Sequence, residues 1–160
     1  MATMNCAPQT IVEQVIEVNN QRKKRMASKV IDFCGGSVSG LTVCVLGLTF
    51  KPNTDDMRDA PSLMIIPALQ DNGAIIRAYD PEGMAQAKSV LENVEFAQSA
   101  YAAIEGADAL VLVTEWDAFR ALDLKRVKSL LKTPIVVDLR NVYAPDEMKK
   151  LGFAYTSIGR

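Results

Sequence analysis

From Leu41 onward, short runs of β-branched and aliphatic residues alternate with amphipathic segments and turn residues, and this alternation limits the folds open to the chain. Leu41 to Leu46 reads as a buried strand ending at Gly47, and Ala74 to Tyr79 as a second ending at Asp80-Pro81. Asn93 to Phe96 is a short third strand. Asp108 to Thr114 is the most apolar and should be central, Pro134 to Leu139 is another buried strand, and Phe153 to Ile158 is a sixth at an edge. Helices are expected between them at Pro61 to Asp71, Glu82 to Leu91, Ser99 to Glu105, Asp123 to Leu131 and Pro145 to Leu151. Asp59 is the expected N-cap of the first of these, and Pro67 should kink or interrupt it. Strand–helix alternation of this length predicts an α/β fold: a Rossmann-like, doubly wound, mostly parallel sheet covered on both faces.

A long helix precedes the alternation. Ile11, Val12, Val15, Ile16 and Val18 crowd one side of it, and Met26, Val30 and Ile31 resume the pattern after a polar, basic middle of residues 19–25. Cys34-Gly35-Gly36 ends it near Phe33. It is either an ordinary amphipathic helix or a connector or dimer helix of a longer protein. This divides the chain into residues 1–36, the helix, and 37–160, the α/β domain.

Composition removes several classes of function. Eighteen basic and nineteen acidic residues leave a net charge of −1, with no basic excess to favour nucleic acid or a membrane surface. No apolar run approaches the ~20 residues that span a bilayer, and residues 1–6 show no leader pattern. The chain has no histidine, which removes Ser-His-Asp and Cys-His chemistry and His-ligated metals. Cys6, Cys34 and Cys44 form neither a disulfide framework nor a zinc pattern, so a cytoplasmic protein with reduced thiols and no metal site is expected. Cys34 has no histidine to activate it as a nucleophile.

In an open parallel sheet, ligands bind beyond the carboxyl ends of the strands, at the switch point in strand order. The loop after the first strand, Gly47 to Asp59, lacks the Gly-x-Gly-x-x-Gly cradle of a dinucleotide site and offers Lys51, Arg58 and a set of carboxylates instead. Lys51 and Arg58 either neutralise an anionic ligand or pair with Asp55, Asp56 and Asp59. Asp80 stands where such folds hold ribose hydroxyls, or is a turn residue before Pro81. Trp116 either stacks on a ring or packs against the next helix. Arg140 is an anion-binding candidate, or pairs with Asp138 or Glu115.

The stretch Val45-Leu46-Gly47-Leu48-Thr49-Phe50-Lys51-Pro52-Asn53-Thr54-Asp55-Asp56-Met57-Arg58-Asp59-Ala60-Pro61-Ser62 closely resembles the signature opening the C-terminal domain of the UDP-glucose/GDP-mannose dehydrogenases. Tyr79-Asp80-Pro81, Thr114-Glu115-Trp116 with Phe119, Val137-Asp138-Leu139-Arg140-Asn141 and the ending 152–160 agree in order and spacing. Within the family, Asn53 to Arg58 with Thr114-Glu115-Trp116 looks most like the members that act on UDP-glucose. The resemblance implies a UDP-sugar-binding domain, residues 37–160, preceded by the end of a central linker and dimerisation helix. The parent would be a homodimer or larger assembly that oxidises UDP-glucose to UDP-glucuronate for polysaccharide synthesis. It would do so in two steps with two NAD, through a cysteine thiohemiacetal. By motif, Phe50, Lys51 and Arg140 would contact substrate and Arg58 would reach NAD; Asp80 and Trp116 remain candidate nucleotide contacts from their positions at strand ends.

The family's catalytic cysteine follows a glycine pair and precedes Pro-Lys-Asp, whereas Cys34 precedes its glycines, and neither the NAD fingerprint nor the catalytic lysine is present. No catalytic residue is therefore expected here, and the chain alone should carry out no hydride transfer. Leu139, where many UDP-glucose enzymes have glycine, leaves another nucleotide sugar (UDP-N-acetylhexosamine or GDP-mannose) open. The competing readings are a free-standing nucleotide-binding module and a structural dimerisation or domain-packing unit.

Overall fold

Strands form where β-branched residues can be buried on both faces, and the sheet is built from six such runs: β1 (Thr42–Leu46), β2 (Ile75–Tyr79), β3 (Val94–Phe96), β4 (Ala109–Leu112), β5 (Ile135–Asp138) and β6 (Ala154–Ser157). The structure is a computed structural model and describes residues 6–159, with side chains from Thr10 onward. The reading of the first residues as lacking a leader therefore lies outside the described residues, as does the side chain of Cys6. All strand pairs are parallel, in the order β3-β2-β1-β4-β5-β6. The order reverses between β1 and β4, which is the switch point. β4 is fully buried and paired on both sides, as its apolar sequence required.

Side chains alternate across the sheet and define two cores. Val43, Val45, Val111 and Val137 face α1 (Cys6–Phe33), α2 (Ser62–Asp71) and α3 (Met84–Val90). Cys44, Leu46, Leu110, Leu112 and Val136 face α4 (Ala100–Ile104), α5 (Asp117–Arg120), α6 (Leu124–Leu130) and α7 (Pro145–Lys150). Ile65, Ile66, Leu69, Leu110, Leu112 and Phe119 are fully buried, each contributing about 1.5–3 kcal/mol relative to exposure. Burial raises the Cys44 thiol pKa, so Cys44 behaves as a core residue. Cys34, at the end of α1, is also raised, first by burial and then by Asp108, and is held as a thiol.

Three details depart from the sequence pattern. Asp59 does not cap α2: it adopts a left-handed backbone (φ 56), and the N-cap is Pro61, with no side-chain bond. The helix instead opens with Leu63 N–H donating to Ala60 and Ile65 N–H to Pro61. α2 also runs through Pro67 without interruption, because its first turn and its buried residues Ile65, Ile66 and Leu69 hold it on both sides of the missing bond. α5, a single turn, was not anticipated. No described helix is long and apolar enough to cross a membrane.

Packing of α1 is uneven. Ala27 and Val30 are buried against the domain, and Lys29 Nζ donates to the Ser157 carbonyl. Ile11, Val12, Val15, Ile16 and Val18 are 53–63% exposed, an apolar face with no cover among the described residues.

Gly47, at the end of β1, sets the course of the following loop. Its φ is 93, and a Cβ there would lie 2.6 Å from both Cβ and the backbone nitrogen of Thr114. Gly47→Ala is expected to cost about 2–4 kcal/mol, from the disfavoured backbone plus overpacking against a rigid strand end. Urea unfolding should show a lower midpoint at unchanged slope; a loss below about 1 kcal/mol would contradict the close approach.

Candidate functional site at the switch point

Two buried aspartates shape the carboxyl end of the sheet. Asp80 follows β2 and is 1% exposed. Its Oδ2 accepts from Leu48 N (2.7 Å), Thr49 N (3.2 Å), the Thr49 hydroxyl (3.2 Å) and Trp116 Nε1 (3.3 Å), and its Oδ1 from Glu82 N (2.9 Å) and Gly83 N (2.7 Å). One carboxylate thus gathers the loops after β1, β2 and β4. Gly83 permits the approach, since a Cβ there would lie 2.4 Å from Thr49 Cγ2. Leu48 and Thr49 follow β1, the place where a dinucleotide fold presents backbone N–H groups to a pyrophosphate. Here those donors are spent on Asp80.

Asp138, at the end of β5 and fully buried, does the same on the other side. It accepts from Arg140 N (3.1 Å), Tyr143 N (2.9 Å) and the Tyr155 hydroxyl (2.6 Å). Asn141, with φ 54, accepts from Ile158 N and donates to the Ile158 carbonyl, fixing the end of β6 beside it.

The loop after β1 is closed by Phe50 N–H donating to the Asp56 carbonyl (2.9 Å), by the Thr114 hydroxyl donating to the Thr49 carbonyl (2.8 Å), and by the Ser62 hydroxyl donating to the Leu48 carbonyl (2.6 Å). Phe50 and Lys51 are left exposed at its crest. Among the described residues the Lys51 ammonium makes no hydrogen bond or ion pair, though its charge helps lower the Asp56 carboxyl pKa.

Phe50 and Arg140 line one cleft of about 520 Å³, together with Asp59, Pro61, Leu139, Ile158 and a wall of α1 residues: Ile16, Asn19, Asn20, Arg22, Lys23 and Met26. Arg22, Lys23 and Arg140 set three cations against the one carboxylate of Asp59. Lys23 Nζ also donates to the Asp59 carbonyl (3.0 Å), tying the helix to the end of the loop. The α1 contribution was missed in the sequence, where residues 19–25 read only as a polar middle; no local signal shows that the helix folds back over β5 and β6. Arg140 Nε donates to the Val113 carbonyl (2.9 Å) and lies 3.5 Å from Glu115 Oε2.

The remaining sequence candidates are not part of this cleft. Arg58 is 89% exposed and paired side-on with Asp56 (3.0 and 3.1 Å), whose carboxyl it holds below the usual range. It borders a separate, more open groove of about 720 Å³ lined by Thr54, Asp55, Met57, Leu63, Gln86, Ser89 and Val90. That groove is larger, but its lining sets one cation, Arg58, against Asp55 and Asp56, whereas the smaller cleft sets three cations against one carboxylate. Asp80 and Trp116, candidates for nucleotide contact, are buried and engaged with one another. Trp116 is 6% exposed and leaves no face open to stack a base. Among the described residues no group of His, Cys, Asp and Glu could hold a metal ion.

A parallel sheet with a cleft of clustered cations at its carboxyl end, and with the pyrophosphate position filled by its own aspartate, defines an α/β domain that is not a dinucleotide cradle. Comparison with known proteins agrees. Residues 44–145 match the UDP-glucose/GDP-mannose dehydrogenase family, UDP binding domain, and the chain belongs to that family. It is 54% identical over 153 residues to a UDP-glucose 6-dehydrogenase of Rhizobium meliloti, covering 96% of this chain and 35% of that protein. It is 44% identical to one of Bacillus subtilis, covering 96% and 33%. A UDP-glucose dehydrogenase structure from Pyrobaculum islandicum superposes with a TM-score of 0.67 at 30% identity, over 81% of this chain and 28% of that one. The chain thus spans about a third of the length of these relatives.

Asp80→Asn should destabilise the domain by about 2–4 kcal/mol, because an amide replaces a charged acceptor with a donor facing N–H groups. A thermal unfolding midpoint within a degree or so of the parent would contradict its role as the common anchor.

Proposed function

We propose that this chain is the nucleotide-sugar-binding part of an NAD-dependent UDP-glucose 6-dehydrogenase, with the sugar nucleotide's diphosphate in the cleft of Arg140. The carrying observation is the cluster of Arg22, Lys23 and Arg140 beside the exposed phenyl ring of Phe50. An arginine whose Nε is fixed by Val113 presents its outer nitrogens to a phosphate as a fork. Phe50, 45% exposed, offers an apolar face to a sugar or base, and Lys51 at the crest adds charge.

Arg58 is the residue of this chain that would reach NAD, across the groove beside α3. NAD, when bound to the parent, would supply the hydride acceptor; this chain's residues would hold and orient the substrate, and none is assigned to the transfer itself. Asp80 and Trp116 act by shaping the loop. Leu139 lines the cleft wall, so the choice among UDP-glucose, a UDP-N-acetylhexosamine and GDP-mannose is made partly at its side chain.

The exposed stripe of Ile11, Val12, Val15 and Ile16 favours a second role for residues 1–36, as part of a linker helix that packs against a partner domain or copy. On a purely structural reading, the chain would have that role alone and the cleft would bind nothing.

Calorimetric titration with UDP, UDP-glucose, GDP-mannose and NAD separates these. Binding of the uridine ligands is expected, weakened about ten- to a hundredfold by Arg140→Ala. No binding of any ligand would favour the packing unit, and tighter binding of NAD than of UDP would overturn the assignment.

A further inference from the structure

We propose that Glu115 is a positioning residue for ligand binding: its carboxylate orients the Arg140 guanidinium in the cleft. The inference rests on the reading of Arg140 as the anion-binding side chain. Glu115 and the carbonyl of Val113 leave the same strand end, β4, and approach Arg140 Nε together, at 3.5 Å and 2.9 Å. The hydrogen on Nε is directed at Val113. Glu115 Oε2 is a buried oxygen that receives no hydrogen bond.

A carboxylate oxygen cut off from water and given no donor is rarely left in a fold without a partner charge. The guanidinium is that charge. Both side chains are about one-third exposed (33% and 32%), so the attraction is neither fully screened nor fully buried. Val113 fixes one point on the arginine, and one hydrogen bond leaves the plane of the guanidinium free to swing about it. Glu115 supplies a second point. Among the described residues the two terminal nitrogens of Arg140 have no hydrogen bond, so they remain available to a phosphate. Asp138 fixes the backbone of the same residue through Arg140 N. The arginine is thus held at its main chain, at Nε and by the field of Glu115, and binding need not pay to immobilise a long side chain.

The direct test needs no ligand. In ¹⁵N NMR spectra of the full chain, Arg140 Nε–H should give a resolved, slowly exchanging signal with a high order parameter. Glu115→Leu, which removes the charge at similar volume, should lose that protection. Glu115→Gln, which keeps the shape but not the charge, should lose much of it as well, at an unchanged thermal midpoint. An equally ordered Arg140 signal in Glu115→Leu would overturn the proposal, since Val113 alone would then suffice.

UDP titration gives the second readout. Glu115→Leu should weaken UDP about three- to tenfold in the parent and have no further effect in the Arg140→Ala background. Equal losses in both backgrounds would mean that Glu115 does not act through Arg140. If Arg140→Ala itself leaves UDP affinity unchanged, the functional reading fails, while the NMR comparison still decides whether Glu115 orders the arginine.

Discussion

The carboxylate of Asp80 is the contact on which the carboxyl end of this domain depends. It takes hydrogen bonds from the segments after β1, β2 and β4, including the two backbone amides that a dinucleotide-binding relative of this fold would keep for a pyrophosphate. Filling that position with an internal anion has two consequences. The loop after β1 is pulled down onto the sheet and stiffened, so that it needs no run of glycines. Its crest, Phe50 and Lys51, then stands clear of the sheet. The same fold that elsewhere cradles a cofactor is here arranged to present side chains to a ligand lying beside it.

Asp138 repeats the device three strands away in the sheet, with its carboxylate setting the turn that carries Arg140 and Asn141. Between the two turns lies the end of β4, which supplies the Val113 carbonyl and Glu115 to the arginine. α1 closes the remaining side through Lys23 on Asp59 and Lys29 on the Ser157 carbonyl. The cleft is therefore not a gap between rigid bodies. Of the cations facing it, Arg140 is tied to the end of β4 through the Val113 carbonyl, and Lys23 to the loop after β1 through the Asp59 carbonyl.

Much of the fold was legible because buried parallel strands are written as short β-branched runs, such as Thr42–Leu46 and Ala109–Leu112, whose period and flanking glycines are local features. Helix starts were less so. Asp59 has the chemistry of an N-cap, but its backbone is left-handed and its carbonyl is taken by Lys23, an interaction across 36 residues that no local pattern announces. α5 is too short to show a period. At the site, the position of Arg140 after a buried strand marked it as a candidate, and the structure places it in the cleft wall. The roles of Asp80 and Trp116 were not legible, since whether an acidic residue at a strand end faces a ribose or its own loop depends on donors 31 to 36 residues away. Arg22 and Lys23 were hidden for the same reason, because their neighbours in the cleft come from the other end of the chain.

The most direct test of this arrangement is an amide chemical-shift map of the chain titrated with UDP. The account predicts that signals from residues 19–23, Phe50, Lys51, Arg140 and Asn141 move, while Leu48, Thr49 and Gly83, held by Asp80, stay in place. Large shifts at Leu48, Thr49 and Gly83 would show the ligand competing for the position that Asp80 fills. Shifts confined to the groove of Thr54, Gln86 and Val90 would place the site elsewhere, and either result would contradict the account.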